Sequence, residues 1–245
     1  MIDFVVADWA AWAPGLQERE AWRAWAQAPF PPRGDEMPAL PEVPAMQRRR
    51  IDRLGRMAVQ AAWWCQPPQK HDGVPLVFAS RHGDVQRSFE LLQQLAKDEA
   101  MSPTQFGLSV HNAVAALYSI VRGERGNYLA IAAGRATAEA ALVEAAGLLA
   151  DGAPEVQVVV YDAGLPGAYS AFLDEPDAPH AWSWRLRADG EGTRLSLDWQ
   201  AADDAVEKTA SALPATLVAL RFLLSGDAAR EHRADGLRWR WRRHG

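Results

Sequence analysis

Residues 127–145 read NYLAIAAGRATAEAALVEA. Tyr128 to Ile131 make a short apolar strand, Ala132 to Arg135 a turn of small residues around one glycine, and the Ala- and Leu-rich run after Thr137 a helix. A strand that breaks sharply into a helix is how many enzymes present a nucleophile. Between Ala130 and Ala141, however, there is no Cys, Ser or His.

The pattern extends in both directions. EVQVVVYD (155–162) is a continuous β-branched run of the kind buried on both faces, and PLVFAS (75–80) is a shorter one. Between them lie a helix over 83–97, with Val85, Phe89, Leu92 and Ala96 on one stripe, a turn at Ser102-Pro103, and a second apolar helix over 110–121 that Gly123 stops. Strands alternating with helices predict a layered, largely parallel α/β sheet. Upstream, FVVAD predicts a strand and residues 18–27 a short helix. Six of the sixteen prolines crowd residues 27–44, so a surface segment over 27–45 has no regular element. Residues 46–65 then predict one helix, with Met46, Ile51, Leu54, Ala58, Ala61 and Cys65 on its apolar face and Arg48, Arg49, Arg53 and Arg56 on its rim. In the last third, WSWRLRADGEGTRLSLDW predicts two strands joined as a hairpin through 188–192, followed by a helix over 213–226. LRWRWRR alternates as a half-buried edge strand, tryptophans on one face and arginines on the other. No repeat is visible, and residues 1–245 read as a single domain.

Composition narrows the function. The net charge of -5 argues against a general nucleic-acid binder, although a local basic face such as that of LRWRWRR fits an acidic protein better than DNA. The single cysteine, Cys65, excludes internal disulfides, and no apolar run is long enough for a membrane span. The N-terminus lacks the basic region of a signal peptide, which predicts a cytoplasmic protein. The six histidines, at 71, 82, 111, 180, 232 and 244, have no i, i+4 pairing, so a metal site is not expected. One glycine in AAGRATAEA is too few for a phosphate cradle. Ser109 and His111 in GLSVHNA offer a serine nucleophile with a base, but a hydrolase elbow needs glycine on both sides, and helix-capping and loop bonding explain these residues more simply. The eleven tryptophans, mostly in pairs two or three apart, read as core filler before they read as a ligand cage.

The order of motifs carries a resemblance: RRIDRLGRMAVQAA (49–62), VFASRHGD (77–84), SPTQFGLSVHNAVAALYSIVRG (102–123), the strand and helix of 127–145, then VQVVVYD. This resembles the N-terminal half of β-ketoacyl synthases of the thiolase-like superfamily, and more closely the short chain-length-factor-like subunits of aryl polyene and xanthomonadin-type synthases. The resemblance implies a truncated thiolase-like layered α/β/α domain with a mixed sheet and a C-terminal hairpin, helix and edge strand. It also implies that the acyl-accepting cysteine of a ketosynthase falls near Arg135, with Ala138 in place of a family glycine. Arg135 cannot form a thioester, and the glutamine that many chain-length factors carry there is absent. Only 84 residues follow Tyr161, and they lack the glycine-rich histidine and lysine motifs of the catalytic half.

A non-catalytic subunit is therefore expected, paired with a ketosynthase and bounding its acyl tunnel, with no cofactor of its own and its substrate carried on acyl carrier protein phosphopantetheine. The resemblance assigns the partner seam or tunnel wall to Asn112, Leu117, Tyr118, Tyr128, Leu129 and Ile131. Arg48, Arg49, Arg53 and Arg56 are the carrier-docking candidates, against the simpler reading of a solvated helix face. The competing expectations are a stand-alone serine hydrolase or acyltransferase using Ser109 and His111, and an acyl-carrier-binding scaffold.

Overall fold

The computed structural model describes residues 1–66, 73–202 and 212–245; His71 lies outside them. One eight-stranded mixed sheet runs through the molecule in the order β3-β2-β4-β5-β1-β6-β8-β7. Its strands are β1 (Ile2–Trp12), β2 (Leu76–Ala79), β3 (Tyr128–Ile131), β4 (Val156–Asp162), β5 (His180–Arg187), β6 (Thr193–Ala201), β7 (Ala229–Ala234) and β8 (Leu237–His244). The helices are α1 (Arg19–Gln27), α2 (Ala45–Arg48), α3 (Arg53–Cys65), α4 (Val85–Ala96), α5 (Pro103–Ser109), α6 (Ala113–Arg122), α7 (Thr137–Ala150) and α8 (Ala215–Ser225).

Strand alternation builds two cores. Val77, Val158, Val160, Trp182 and Trp184 point into the layer formed by α1, α7 and α8. Leu76, Phe78, Val159 and Tyr161 point the other way, against α3 and α6. Both faces of β2 and β4 are covered, which is why their sequences are continuously apolar. Small residues set the closeness of the layers. Ala58, Ala61 and Ala62 let α3 lie on β1, β4 and β5, and Ala138, Ala141 and Ala145 do the same for α7 on β2 and β4. Most of the tryptophans are core filler, as their spacing predicts, with Trp64 and Trp199 exposed: Trp182, Trp184 and Trp241 are fully buried and in ring contact, and Trp182 Nε1 donates to Thr216 O at 2.9 Å.

The layered α/β class holds, and several details are corrected. Parallel pairing is confined to β3-β2-β4; every other pair is antiparallel. The strands on either side of 188–192 are β5 and β6, and they do not form a hairpin. β1 runs between them, with Val5 opposite Arg187 on one side and Arg194 on the other. Phe4, Val5 and Val6 are buried on both faces, so β1 gains more as a central strand than at an edge. Gly192, at φ +140°, crosses so close that an added Cβ would stand 2.3 Å from Val6 O. The C-terminal hairpin is instead β7-β8, turning through Asp235 and Gly236 at φ 51° and 78°. The edge strand is β7, and β8 lies inside it.

The long helix expected over 46–65 breaks at residues 49–52. Asp52 turns the chain there and caps α3, its Oδ1 accepting from Gly55 N at 2.9 Å, and Met46 is left 82% exposed. The helix expected over 110–121 is α6, preceded by the separate α5, which Ser102 caps. Gly123 ends α6 at φ 64°, as expected. Residues 28–44 form no regular element, but Leu40 and Val43 anchor them in the α3 core.

Candidate functional site

The parallel strands β2, β3 and β4 end together, and in open α/β sheets the C-terminal strand ends are where ligands bind. The elbow stands here. β3 breaks after Ile131, Gly134 takes φ +52°, and a turn of 3-10 helix leads into α7. Thr137 closes the bend: its Oγ1 accepts from Ala133 N at 3.1 Å and donates to Gly134 O at 2.7 Å. The bend is held from outside by Asp235, whose Oδ2 accepts from Arg135 N at 3.0 Å. An added Cβ on Gly134 would meet the same carboxylate at 2.7 Å.

Behind the elbow is a second contact with the C-terminal hairpin. Glu139 is 1% exposed, and its Oε1 receives hydrogen bonds from His232 Nδ1 at 2.9 Å and Trp241 Nε1 at 3.3 Å. Burial opposes charge on His232, but the hydrogen bond and charge of Glu139 outweigh it, so the imidazole titrates above its ordinary range.

Beside the elbow the strand ends are cross-linked. Asp162 Oδ1 accepts from Ser80 Oγ at 3.0 Å and from Arg81 N at 2.8 Å, and burial pushes its carboxyl up to about 7. The Arg81 guanidinium reaches across to Asp174 at 2.6 Å and Glu175 at 3.1 Å. Glu175 in turn accepts from Ala215 N at 3.2 Å at the start of α8. Burial pushes the Glu175 carboxyl up, against the pull of Arg81, the Ala215 amide and Arg135. His180 is buried and neutral: Nδ1 donates to Ala178 O at 2.7 Å, Nε2 accepts from Thr216 Oγ1 at 2.9 Å, and burial pushes its pKa down to about 4. The recess that these residues line measures about 40 Å³, room for a water molecule and not for an acyl chain.

Neither remaining nucleophile candidate fits. Cys65 lies on α3, across the sheet from α7. It is fully buried, donates to Ser183 O at 3.3 Å, and burial pushes its thiol up to about 12, so no thiolate forms near neutral pH. Ser109 does not pair with His111, nor does it cap α6. It ends α5 with Oγ donating to Phe106 O at 2.8 Å, while His111 Nε2 donates to Ser80 O at 2.9 Å. No group of three or more His, Cys, Asp or Glu able to hold a metal occurs among the described residues.

The seam candidates separate. Tyr128, Leu129 and Ile131 lie on β3, an end strand of the sheet, which among the described residues pairs only with β2 and leaves its other edge open. Leu129 and Asn112 are exposed, and Leu117, Tyr128 and Ile131 half-buried. Tyr118 is a correction: it is fully buried, its ring 5.5 Å from Phe78 and 6.5 Å from Trp63, and it has no surface to offer a partner. Phe106, Val110, Ile120 and Leu129 are exposed apolar residues on β3, α6 and the α5 region beside it, with Leu92 and Leu95 on α4, which packs on α5.

Three of the four arginines expected to dock a carrier are engaged within the fold. Arg48 donates to Ala39 O and Leu40 O, Arg53 to Glu36 O and Gly34 O, and Arg56 to Pro38 O, Arg48 O and Ile51 O. A proline-rich strand-less segment has many unpaired carbonyls, and these guanidinium forks satisfy them. Of the four, only Arg49 is exposed.

Sequence reasoning missed Asp235, Glu139 with His232, and Arg81 with Asp162. One signal was available: Asp-Gly at 235–236 between alternating residues marks a tight hairpin, and it would have revealed β7 and placed Asp235 at a turn.

A layered sheet with this elbow at its parallel strand ends is the architecture of a condensing-enzyme domain. The sequence matches the family of the β-ketoacyl synthase N-terminal domain over residues 22–242, and the chain belongs to that family. It is similar to a chain in the structure of the ketosynthase ApeO in complex with its chain length factor ApeC from Xenorhabdus doucetiae, at 31% identity and TM-score 0.84, covering 99% of this chain and 100% of that one. The ishigamide ketosynthase/chain length factor shares the fold at 16% identity and TM-score 0.65, with 84% of this chain and 69% of that one covered. A β-ketoacyl synthase from Burkholderia phymatum does so at 13% and 0.66, covering 92% and 70%. No curated protein matches the sequence.

Proposed function

We propose that this chain is a non-catalytic, chain-length-factor-like subunit that pairs with a ketosynthase and bounds its acyl tunnel during synthesis of an aryl polyene type pigment, the growing chain being carried on the phosphopantetheine of an acyl carrier protein. The observation that carries the reading is the elbow: no Cys, Ser or His lies between Ala130 and Ala141, and the amide of Arg135, which we read as the residue in the nucleophile's position, is held by Asp235. Two further observations support it. The recess beside the elbow is too small for an acyl chain, and the similarity to one chain of the ApeO–ApeC structure covers 99% of this chain and 100% of that one. The open edge of β3 with its exposed apolar neighbours offers a seam for the ketosynthase, since an unpaired edge strand beside apolar side chains is otherwise a liability.

The test is co-expression with a ketosynthase from the same synthase system. A stoichiometric complex is expected, with product length changing when Leu117 or Tyr128 is enlarged or shrunk. Condensation of acyl and malonyl thioesters by this chain alone, or the absence of any complex, would overturn the reading. Fluorophosphonate labelling lost on Ser109→Ala would favour the hydrolase alternative, which the separate bonding of Ser109 and His111 disfavours.

A further inference from the structure

The second face of the β6-β8-β7 end of the sheet is uncovered by helices among the described residues. The inner face packs Leu195, Leu197, Trp239 and Trp241 into the α7–α8 core, whereas α3 covers the other face only over β1, β4 and β5. Among the described residues no helix packs over the rest. By alternation that face carries Arg194, Ser196, Asp198 and Gln200 of β6, Arg238, Arg240, Arg242 and His244 of β8, and Ala229, Glu231 and Arg233 of β7. Four of these are arginines on β6 and β8, Arg194, Arg238, Arg240 and Arg242, set against the carboxylates of Asp198, of Glu231 on β7 and of Asp3, which lies opposite Ser196 on β1, in a chain whose net charge is -5.

Local pairing does not neutralise this surface. Asp198 is held by Arg240 at 2.8 Å, and Arg240 also donates to Gln200 at 3.1 Å. Arg242 is 53% exposed and approaches Asp198 only to 3.9 Å. Arg238 Nε is buried without a hydrogen-bond partner, an expensive state for a guanidinium donor. Among the described residues no carboxylate lies within ion-pair distance of Arg194 or Arg238. Alternate residues of one strand stand about 6.8 Å apart and neighbouring strands about 4.8 Å, so these forks form a flat grid suited to several carboxylates at once.

We propose that this open face, through Arg194, Arg238 and Arg242, is a docking surface for an acidic protein, and that on the functional reading above the protein is the acyl carrier protein. The carboxylates of Asp198 and Glu231 within the grid disfavour a uniformly charged nucleic-acid backbone and suit a patterned protein surface. A second copy of this chain would have to meet the basic face through a different, acidic surface, a heterologous contact that leaves each copy's other half of the pair unfilled unless a ring or filament forms.

The experiment titrates fluorescently labelled holo acyl carrier protein from the same synthase system into the assembled ketosynthase complex, at low and at high salt. Arg238→Glu with Arg242→Glu is expected to weaken binding about tenfold at low salt and flatten the salt dependence, and Arg238→Lys with Arg242→Lys to change it less than about threefold. Thermal melting and complex formation are checked for each variant. Unchanged affinity in the charge-reversed protein, no carrier binding by the wild type, tighter binding of a duplex DNA probe, or self-association that the reversal abolishes would each overturn the proposal. An intact complex with no carrier effect defeats this inference alone, whereas loss of the complex in the wild type defeats the functional reading beneath it.

Discussion

Asp235 shows how one side chain, distant in sequence, defines the elbow. Its carboxylate accepts the Arg135 amide, and its own φ of 51° belongs to the tight turn between β7 and β8. Asp235→Ala removes the acceptor and places a residue with no local hydrogen bond in a left-handed conformation. A loss of about 1–2 kcal/mol is expected in urea unfolding, with Asp235→Asn largely sparing it. Asp162 gives a pH dependence. Burial raises its pKa to about 7 from the ordinary carboxylate value of 3.8, so the folded state favours the protonated form. Its contribution is fully present below the unfolded value and is lost as pH rises through 7. Asp162→Asn, which keeps an acceptor for Ser80 and the Arg81 amide, is expected to flatten the fall in stability between acid and mildly alkaline pH. An unchanged slope in denaturation at both ends of that window would refute the assignment.

At the scale of elements, α3 and the proline-rich segment stabilise each other. Arg48, Arg53 and Arg56 project from α2 and α3 and hold the carbonyls of residues 34–40, while Leu40 and Val43 enter the core beneath. Arg53→Ala with Arg56→Ala is expected to cost about 2 kcal/mol and to expose residues 34–40 to limited proteolysis well before the remaining chain is cut. This arrangement also explains where sequence reading succeeded and failed. An amphipathic stripe announces a helix by periodicity alone, so α1, α3, α4 and α6 were legible near their true positions. What an arginine on the rim of such a helix does is not periodic information. It depends on which segment folds over it, and here that segment is full of carbonyls that have no partner within their own element.

Over the whole molecule, the two sheet edges differ. At one end β7 pairs only with β8 among the described residues and is tied back to the molecule by His232 on Glu139 and by Ala234 in the core. β3 ends the other with an open edge, and Leu129 and Ile120 are exposed beside it. Leu129→Asp with Ile120→Asp is expected to leave the isolated chain's thermal melt within about 1 kcal/mol of wild type, since exposed residues contribute little to the core, and to abolish co-purification with the ketosynthase. A complex that survives both changes would place the seam elsewhere.

The sequence by itself determined the layered class, both buried parallel strands, and an elbow with no Cys, Ser or His between residues 130 and 141, because these depend on local periodicity and residue chemistry. The tertiary structure alone decided that β1 separates β5 from β6, that Asp235 seals the elbow, that Tyr118 belongs to the core and that three rim arginines clasp the proline-rich segment. Each of those outcomes is set by competition among distant surfaces for burial and for hydrogen-bond partners, and residue order along the chain does not encode which surface wins.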